Sequence, residues 1–263
     1  MTMRIAVCSV AMNESEYIGV CIDNWKDLVE KHLVLVSLKP WNGPRLGDDG
    51  TFGIAKRHGA EVIAGEWKSE AEQRSWGLAR LYDYDYVLQV DPDELYTKQD
   101  QISIINRLNQ NNGIDVGFDP SRKIAGFRCP KMITYWKTSD YILDPADNHK
   151  PVIAVDPKQL YCHEHRQFKY MSHEDDYLSY APIVEGITCH HMSWAKPDDK
   201  VKAKIEAYSH AEWINNNWFY DVWMKWQPGS DMLCRPYGEE KSRSLLSPAP
   251  SEIVQLIENS RRA

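Results

Sequence analysis

The chain lacks any run approaching the roughly 18 consecutive apolar residues needed to cross a bilayer. Its opening, Met1-Thr2-Met3-Arg4-Ile5-Ala6-Val7, has no basic segment followed by a long apolar one, so no secretory signal is expected. Basic charge is also short: 31 Lys and Arg face 38 Asp and Glu, leaving a formal charge of −7. That balance is not the basic footprint of a typical nucleic-acid binder. Six cysteines (8, 21, 129, 162, 189 and 234) include no CxxC pair, and free thiols in a cytoplasmic protein are expected. Neither GxGxxG nor GxxxxGK[ST] occurs, which argues against a dinucleotide fingerprint or a P-loop. Any bound phosphate must therefore be held by a carboxylate-bound metal and isolated arginines. Phenylalanine is scarce at five residues, yet there are ten tryptophans, a surplus suited to stacking as well as to core packing.

What is present is an ordinary globular composition, 43% hydrophobic and 26% charged, on 263 residues. Residues 4–97 alternate between strand and helix patterns. Strands are expected at Arg4–Val10, His32–Leu38, Glu61–Ala64 and Tyr86–Val90. Helices are expected after an N-cap at Asn13, at Thr51–His58, at Ser69–Tyr82 and at Gln99–Asn111. Such alternation implies an α/β fold with a mostly parallel central sheet flanked by helices. Beyond residue 115 the chain is loop-rich, with short strands at Ala125–Cys129, Met132–Trp136 and Val152–Val155 and a helix from Asp198. One domain, 1–226, is expected in two halves (1–97 and 115–226), with 227–263 as a C-terminal extension.

The strongest chemical signal is Asp91-Pro92-Asp93, directly after the strand Tyr86-Val87-Leu88-Gln89-Val90. Ligands of open α/β sheets sit outside the carboxyl ends of the strands. Two carboxylates one residue apart at such an end can hold a hard divalent cation on phosphate oxygens. Asp-Pro-Asp is also common turn chemistry.

Around this tripeptide the chain resembles family 2 glycosyltransferases. Ala11-Met12-Asn13-Glu14-Ser15-Glu16-Tyr17-Ile18 is similar to the family's N-terminal NE…YI opening. Asp49-Gly50-Thr51 with Ala55, Gly59-Ala60 and Val62 resembles its second segment. Glu70-Ala71-Glu72-Gln73-Arg74-Ser75-Trp76-Gly77-Leu78 resembles its RN-containing helix, with Ser75 where Asn is usual, and Asp91-Pro92-Asp93 falls at its DxD motif. The resemblance implies a GT-A-like, Rossmann-like fold, a nucleotide-sugar donor and Mn²⁺ or Mg²⁺. It places Asn13, Glu14, Asp49, Arg74 and Asp91 at the donor, and Asp91 and Asp93 at the metal. The family's acidic base contact after the second strand is missing, since Ser37-Leu38-Lys39-Pro40 stands there; Asp48 or Asp49 are substitutes.

An inverting transfer needs a general base for the acceptor hydroxyl. By family position Glu174, Asp175 and Asp176 compete for that role, with Glu185 as an outside candidate; the run also reads as an exposed acidic loop. In Cys189-His190-His191-Met192-Ser193-Trp194 the resemblance makes His191 a third metal ligand. His190, Trp136 and Trp194 are then candidate acceptor contacts. Cys162-His163-Glu164-His165 has zinc-type ligands but lacks the spacing of a closed tetrahedral site. Residues 213–226 hold four of the ten tryptophans, read as core, acceptor stacking, a dimer contact or a membrane-surface contact. Lys196 and Lys200–Lys204 read as a solvated helix face. Trp25 and Trp76 read as core.

The function expected is metal-dependent transfer of a sugar to a hydroxyl. The acceptor is a glycan, a lipid-linked glycan, a protein or a hydroxymethylated base of phage DNA, and a homo-oligomer is possible. A nucleotidyltransferase or phosphohydrolase using the same carboxylates, and a non-catalytic carbohydrate-binding protein, are the competing expectations.

Overall fold

Strand 1 (β1, Ile5–Ala11) alternates its side chains between two apolar layers, and the whole architecture follows from that. Ile5 and Val7 face one cluster with Cys21, Trp25, Ile104 and Leu108, while Ala6, Cys8 and Val10 face another with Leu78 and Leu81. A strand covered on both faces is an unbroken apolar run, as in the sequence. The computed structural model describes residues 3–42, 47–110, 125–146, 149–172, 182–207, 214, 217–229, 233–234 and 241–262.

After β1 come α1 (Ile18–Trp25), β2 (Lys31–Ser37), α2 (Thr51–Arg57), β3 (Glu61–Gly65), α3 (Glu70–Arg80), β4 (Tyr86–Gln89), β5 (Glu94–Leu95) and α4 (Lys98–Asn109). The second half adds β6 (Gly126–Arg128), β7 (Lys131–Trp136), β8 (Thr138–Asp144), β9 (Val152–Val155), β10 (Leu160–Glu164), β11 (Gln167–Tyr170) and β12 (Thr188–Trp194). It closes with α5 (Asp198–Ala207), a π-helical turn at Phe219–Trp223, β13 (Leu233–Cys234), β14 (Lys241–Leu246) and α6 (Ser251–Ser260).

The main sheet has the order β3-β2-β1-β4-β9-β6. Its first four strands are parallel, and β9 runs antiparallel between β4 and β6. The expected α/β class with a mostly parallel sheet is thus observed. Strand order reverses between β1 and β4, and a crevice opens at the carboxyl ends of those two strands. A second sheet, β13-β14-β8-β7-β12-β5, lies across this opening, with β12 pairing His191 with Glu94 of β5. The two sheets therefore meet at the residues that follow β4. Among the described residues no helix is long and apolar enough to cross a membrane.

One local expectation changes. Asn13 is not a helix cap; it takes a left-handed φ of 55°, and α1 starts at Ile18. The amides of Glu14 and Ser15 are instead satisfied by Thr51 Oγ1 at 2.8 Å and Asp49 Oδ2 at 3.1 Å, from the start of α2. The two histidines lie inside β12. In the C-terminal segment, β14 pairs with β8, and Ile253 and Ile257 of α6 pack with Tyr17 and Val20.

The tryptophan surplus is mostly interior. Trp136, Trp194, Trp218 and Trp223 form one buried cluster with ring centroids 4.8 to 6.5 Å apart. The five-residue step from Trp218 to Trp223 suits the π-helical turn, whose bonds run from residue i to i+5, as Met224 N to Phe219 O does at 2.9 Å. Trp213 lies outside the described residues. Trp25 is fully buried, as expected, but Trp76 is on the surface, beneath Arg80 and against Trp67.

Candidate active site

A cavity of about 630 Å³ occupies the crevice between the carboxyl ends of β1 and β4. Its size is that of a small-molecule site. Val10 to Glu14 form one side, Asp91 to Glu94 the floor, and Ser193, Trp194, Lys196, Lys200 and Lys204 the opposite rim. The expected residues Asn13, Glu14, Arg74, Asp91, Asp93, His191 and Trp194 are all brought to this one cavity.

Arg74 is positioned by α3. Ser69 caps that helix by accepting from Glu72 N, and Glu70 and Glu72 lie in its first turn. Gly77 lets the helix press on β1, since a Cβ there would sit 2.5 Å from Cys8 Sγ. Arg74 is consequently 1% exposed, with Nη2 2.7 Å from Asp91 Oδ1 and Nε 2.8 Å from Glu70 Oε1. It is not a helix-surface ion pair. Burial opposes its charge, but Asp91 and Glu70 outweigh that and raise its pKa. Burial would likewise push Glu70 up; the Arg74 guanidinium and His165 instead bring it down to about 2. Arg74 Nη1 is buried without a partner among the described residues.

Arg166 was not anticipated. It follows His165 in the β10–β11 turn, where His165 takes φ 45°. Its Nε donates to Val152 O at 2.9 Å, Nη1 to Glu94 Oε1 at 2.5 Å, and Nη2 to Gln89 O. Its Nη1 also lies 3.5 Å from Asp91 Oδ2. The guanidinium thus ties β9 and β4 together beneath the two acidic side chains. No spacing in the sequence marked it, because the turn that aims it inward is built by long-range pairing.

Asp93 is buried and held by two lysines: Oδ2 lies 3.1 Å from Lys196 Nζ and 3.0 Å from Lys204 Nζ. Lys196 also reaches Glu14 Oε2 at 2.5 Å, and Lys200 reaches Asp49 Oδ2 at 2.8 Å. Lys196, Lys200 and Lys204 are therefore not a solvated face, while Lys202 is exposed. The four-residue spacing of 196, 200 and 204 stacks them along one side of α5 and its approach, facing the cavity. Burial disfavours the Asp93 carboxylate, yet Lys204 and Lys196 hold its pKa well below the usual range. Burial, opposed by Lys196, raises Glu14.

Asp93 Oδ1 faces His191 Nε2 at 3.5 Å. The three expected metal ligands are not assembled as a set: Asp91 is turned to Arg74 and Arg166. Among the described residues no group of three or more His, Cys, Asp or Glu could hold a metal ion. The 3.5 Å separation of Asp93 Oδ1 and His191 Nε2 lies close to the spacing of two ligands on one ion, about 3.0 to 3.4 Å for ligands about 2.1 Å from the metal. His191 Nδ1 is buried without a partner among the described residues, which leaves Nε2 as the nitrogen available to an incoming group. Five cations (Arg74, Arg166, Lys196, Lys200, Lys204) and five carboxyl groups (Glu14, Glu70, Asp91, Asp93, Glu94) line the cavity, with His149, His165 and His191 beside them.

Other expected residues lie elsewhere. Asp49 does not line the cavity; it accepts from Ser15 N and Thr51 N and pairs with Lys200. Trp136 is fully buried in the tryptophan cluster and offers no face to an acceptor. His190 points away on the other side of β12, hydrogen bonded to Tyr135 OH at 3.0 Å. Burial lowers its pKa. Glu185 is exposed in the turn before β12 and is not at the cavity. Cys162 is buried, its Sγ 2.8 Å from His165 O, and builds no zinc cluster. Glu174, Asp175 and Asp176 lie outside the described residues.

No family model and no curated protein matches the chain. Among solved structures it is similar to glucosyl-3-phosphoglycerate synthase from Mycobacterium tuberculosis in complex with Mn²⁺, UDP and glucosyl-3-phosphoglycerate. That match has 19% identity and a TM-score of 0.36 over 51% of this chain and 44% of that one. It is also similar to mannosyl-3-phosphoglycerate synthase from Rubrobacter xylanophilus, with 18% identity and a TM-score of 0.35 over 52% and 41%. A mycobacterial protein matches at 20% identity and a TM-score of 0.35 over 51% and 41%. The chain spans less than half the length of each of these structures.

Proposed function

We propose that this chain is a glycosyltransferase of the GT-A type, moving a sugar from a nucleotide-sugar donor to an acceptor hydroxyl with inversion at the anomeric carbon. The observation that carries the proposal is the convergence of Asp91, Asp93, His191, Arg74 and Lys204 on one cavity at the β1/β4 switch point. Open α/β sheets bind nucleotides at that point.

Glycosyl transfer expels a nucleoside diphosphate, so negative charge grows on the leaving phosphate and must be met by fixed cations. Arg74, Lys200 and Lys204 line the cavity and would supply such cations. Asp93 and His191 would hold a divalent cation, Mn²⁺ or Mg²⁺, whose chemistry is Lewis-acid neutralisation of the diphosphate. Lys196, caught between Glu14 and Asp93, keeps the Asp93 carboxylate ionised and in place. Asp91, clamped by Arg74 and Arg166, is turned to the donor rather than to the metal. Trp194 and Met132 give the cavity apolar lining suited to the face of a sugar ring. The base that takes the acceptor proton is assigned to Glu174, Asp175 or Asp176.

The test is to incubate the chain with UDP-, GDP- and dTDP-sugars, with and without Mn²⁺, and to identify the nucleotide released. Mn²⁺-dependent release of nucleoside diphosphate, abolished in Asp93→Ala, is expected. Release of a nucleoside monophosphate, or unchanged turnover in Asp93→Ala, would overturn the proposal. Proton NMR of the product's anomeric signal checks inversion.

A further inference from the structure

Tyr17 ends the loop that carries the chain from β1 to α1, and that loop grips the opposite wall of the cavity at two points. The loop closes in a tight turn, with Tyr17 N and Ile18 N donating to Glu14 O at 3.2 and 2.9 Å. Three residues apart, Glu14 and Tyr17 both reach the segment between β12 and α5. Glu14 Oε2 meets Lys196 Nζ at 2.5 Å, and Tyr17 OH donates to Ala195 O at 2.5 Å. Glu14 and Lys196 line the cavity; Tyr17 does not.

The Ala195 carbonyl needs this donor. β12 ends at Trp194, whose carbonyl still accepts from Lys137 N at 2.8 Å, and Ala195 N closes a turn on Met192 O at 3.0 Å. There the strand ladder has ended while Ala195 is still buried, so a carbonyl without a partner would be costly. Burial pushes the Tyr17 hydroxyl up to about 12, against Arg261 and Lys196, so it stays protonated and donating at neutral pH. The ring is itself fixed: it packs in one layer with Ile253 and Ile257 of α6, and the Arg261 guanidinium stands 5.8 Å from its centroid. Lys196 is the next residue, with its ammonium between Glu14 and Asp93 Oδ2, the latter at 3.1 Å. A lysine side chain has large rotamer freedom, so its head group keeps both carboxylates only while its backbone is held.

We infer that Tyr17 is a positioning residue: its hydroxyl holds the Ala195 carbonyl so that Lys196 stands between Glu14 and Asp93, and it thereby steadies the Asp93 carboxylate that faces His191. The clamp stands on its own geometry, and its bearing on a ligand rests on the nucleotide-sugar reading above. Through Tyr17 the C-terminal helix α6 is a support of the site.

Tyr17→Phe deletes the hydroxyl and keeps the ring. Acetylation by N-hydroxysuccinimidyl acetate, followed residue by residue by peptide mass spectrometry, reads the release of Lys196, with exposed Lys202 as the reference amine. Lys196 should label about 5- to 150-fold faster in Tyr17→Phe than in wild type, the scale of one buried carbonyl left unpaired. Alkylation of buried Cys8 by iodoacetamide should stay unchanged, showing that the fold holds. UDP with Mn²⁺, titrated calorimetrically, should bind about tenfold or more weakly, as when an outer support of a metal site is lost. Unchanged Lys196 labelling, a parallel rise at Cys8, or faster labelling with unaltered UDP affinity would each overturn the inference and leave the transferase reading standing. Failure of the wild-type chain to bind UDP with Mn²⁺ would overturn that reading instead, and Lys196 labelling would still decide whether Tyr17 holds the segment.

Discussion

Asp93 and His191, 98 positions apart in the chain, are joined at the seam of the two sheets: Oδ1 lies 3.5 Å from Nε2, and the backbone of Met192 donates to Asp93 O at 2.7 Å. The carboxylate comes from the loop after β4 and the imidazole from β12, so the pair exists only when both sheets are folded. Removing the imidazole should therefore weaken metal binding without loosening the core. His191→Ala is expected to raise the dissociation constant for Mn²⁺, measured with UDP present, by more than about tenfold, exceeding the lower end seen for second-sphere losses. Unchanged Mn²⁺ affinity would remove His191 from the metal site.

The Lys196 ammonium, 4% exposed with its residue, should behave as a buried ion-pair partner. Lys196→Met leaves Glu14 buried without its cation and is expected to cost about 3 to 5 kcal/mol in denaturant unfolding. Adding Glu14→Gln should recover part of that loss, because a neutral amide no longer needs the ammonium. A solvated lysine would give under about 1 kcal/mol, and that outcome would refute the buried network.

Glu70 carries a pH signature. Its folded pKa, about 2, lies below the ordinary 4.5, so its ion pair with Arg74 adds stability that is complete above about 4.5. That stability is lost as pH falls through the interval down to about 2. Wild type should exceed Glu70→Gln by about 2 kcal/mol near pH 6, with the difference shrinking toward zero near pH 2. Urea unfolding at a series of pH values measures it, and a pH-independent difference would contradict the assignment.

Gly77 sets how closely α3 approaches β1. Gly77→Ala brings a Cβ to 2.5 Å from Cys8 Sγ and is expected to destabilise by about 1 to 3 kcal/mol. Turnover should drop as well, since the same helix carries Gln73 and Arg74. The double variant Gly77→Ala/Cys8→Ala removes the obstructing sulfur, and it should recover both thermal stability and activity. Failure to recover either would place the effect of Gly77 elsewhere.

The first half of the fold was legible because its information is local. Continuous apolar runs at β1, β2 and β4, the Ser69 cap and the spacing of α3 each sit within a dozen residues, and the structure keeps those elements in place within a residue or two at most ends. The Asp91-Pro92-Asp93 turn was legible for the same reason. Trp136, His190 and the lysines were not, since a strand residue's face depends on its partner strand. His190 and His191 are neighbours in sequence, but the alternation of β12 sends one to Tyr135 and the other to Asp93. Lys196, Lys200 and Lys204 carry the spacing of a helical stripe, and hydrophilic composition alone made that stripe look solvent-facing. Only the carboxylates on the opposite wall show that it faces inward.

The sequence by itself determined the α/β class, the parallel strands of the main sheet and the position of the acidic turn at a strand's carboxyl end. Those follow from periodicity, capping and the chemistry of Asp and Pro, all of which act between near neighbours. The tertiary structure alone decided which charges meet. It set Arg166 beneath Glu94, Lys196 between Glu14 and Asp93, and the indole of Trp41 against Gln73. Such pairings depend on strand order and on burial, where a charge must find its partner across the fold or not be buried at all.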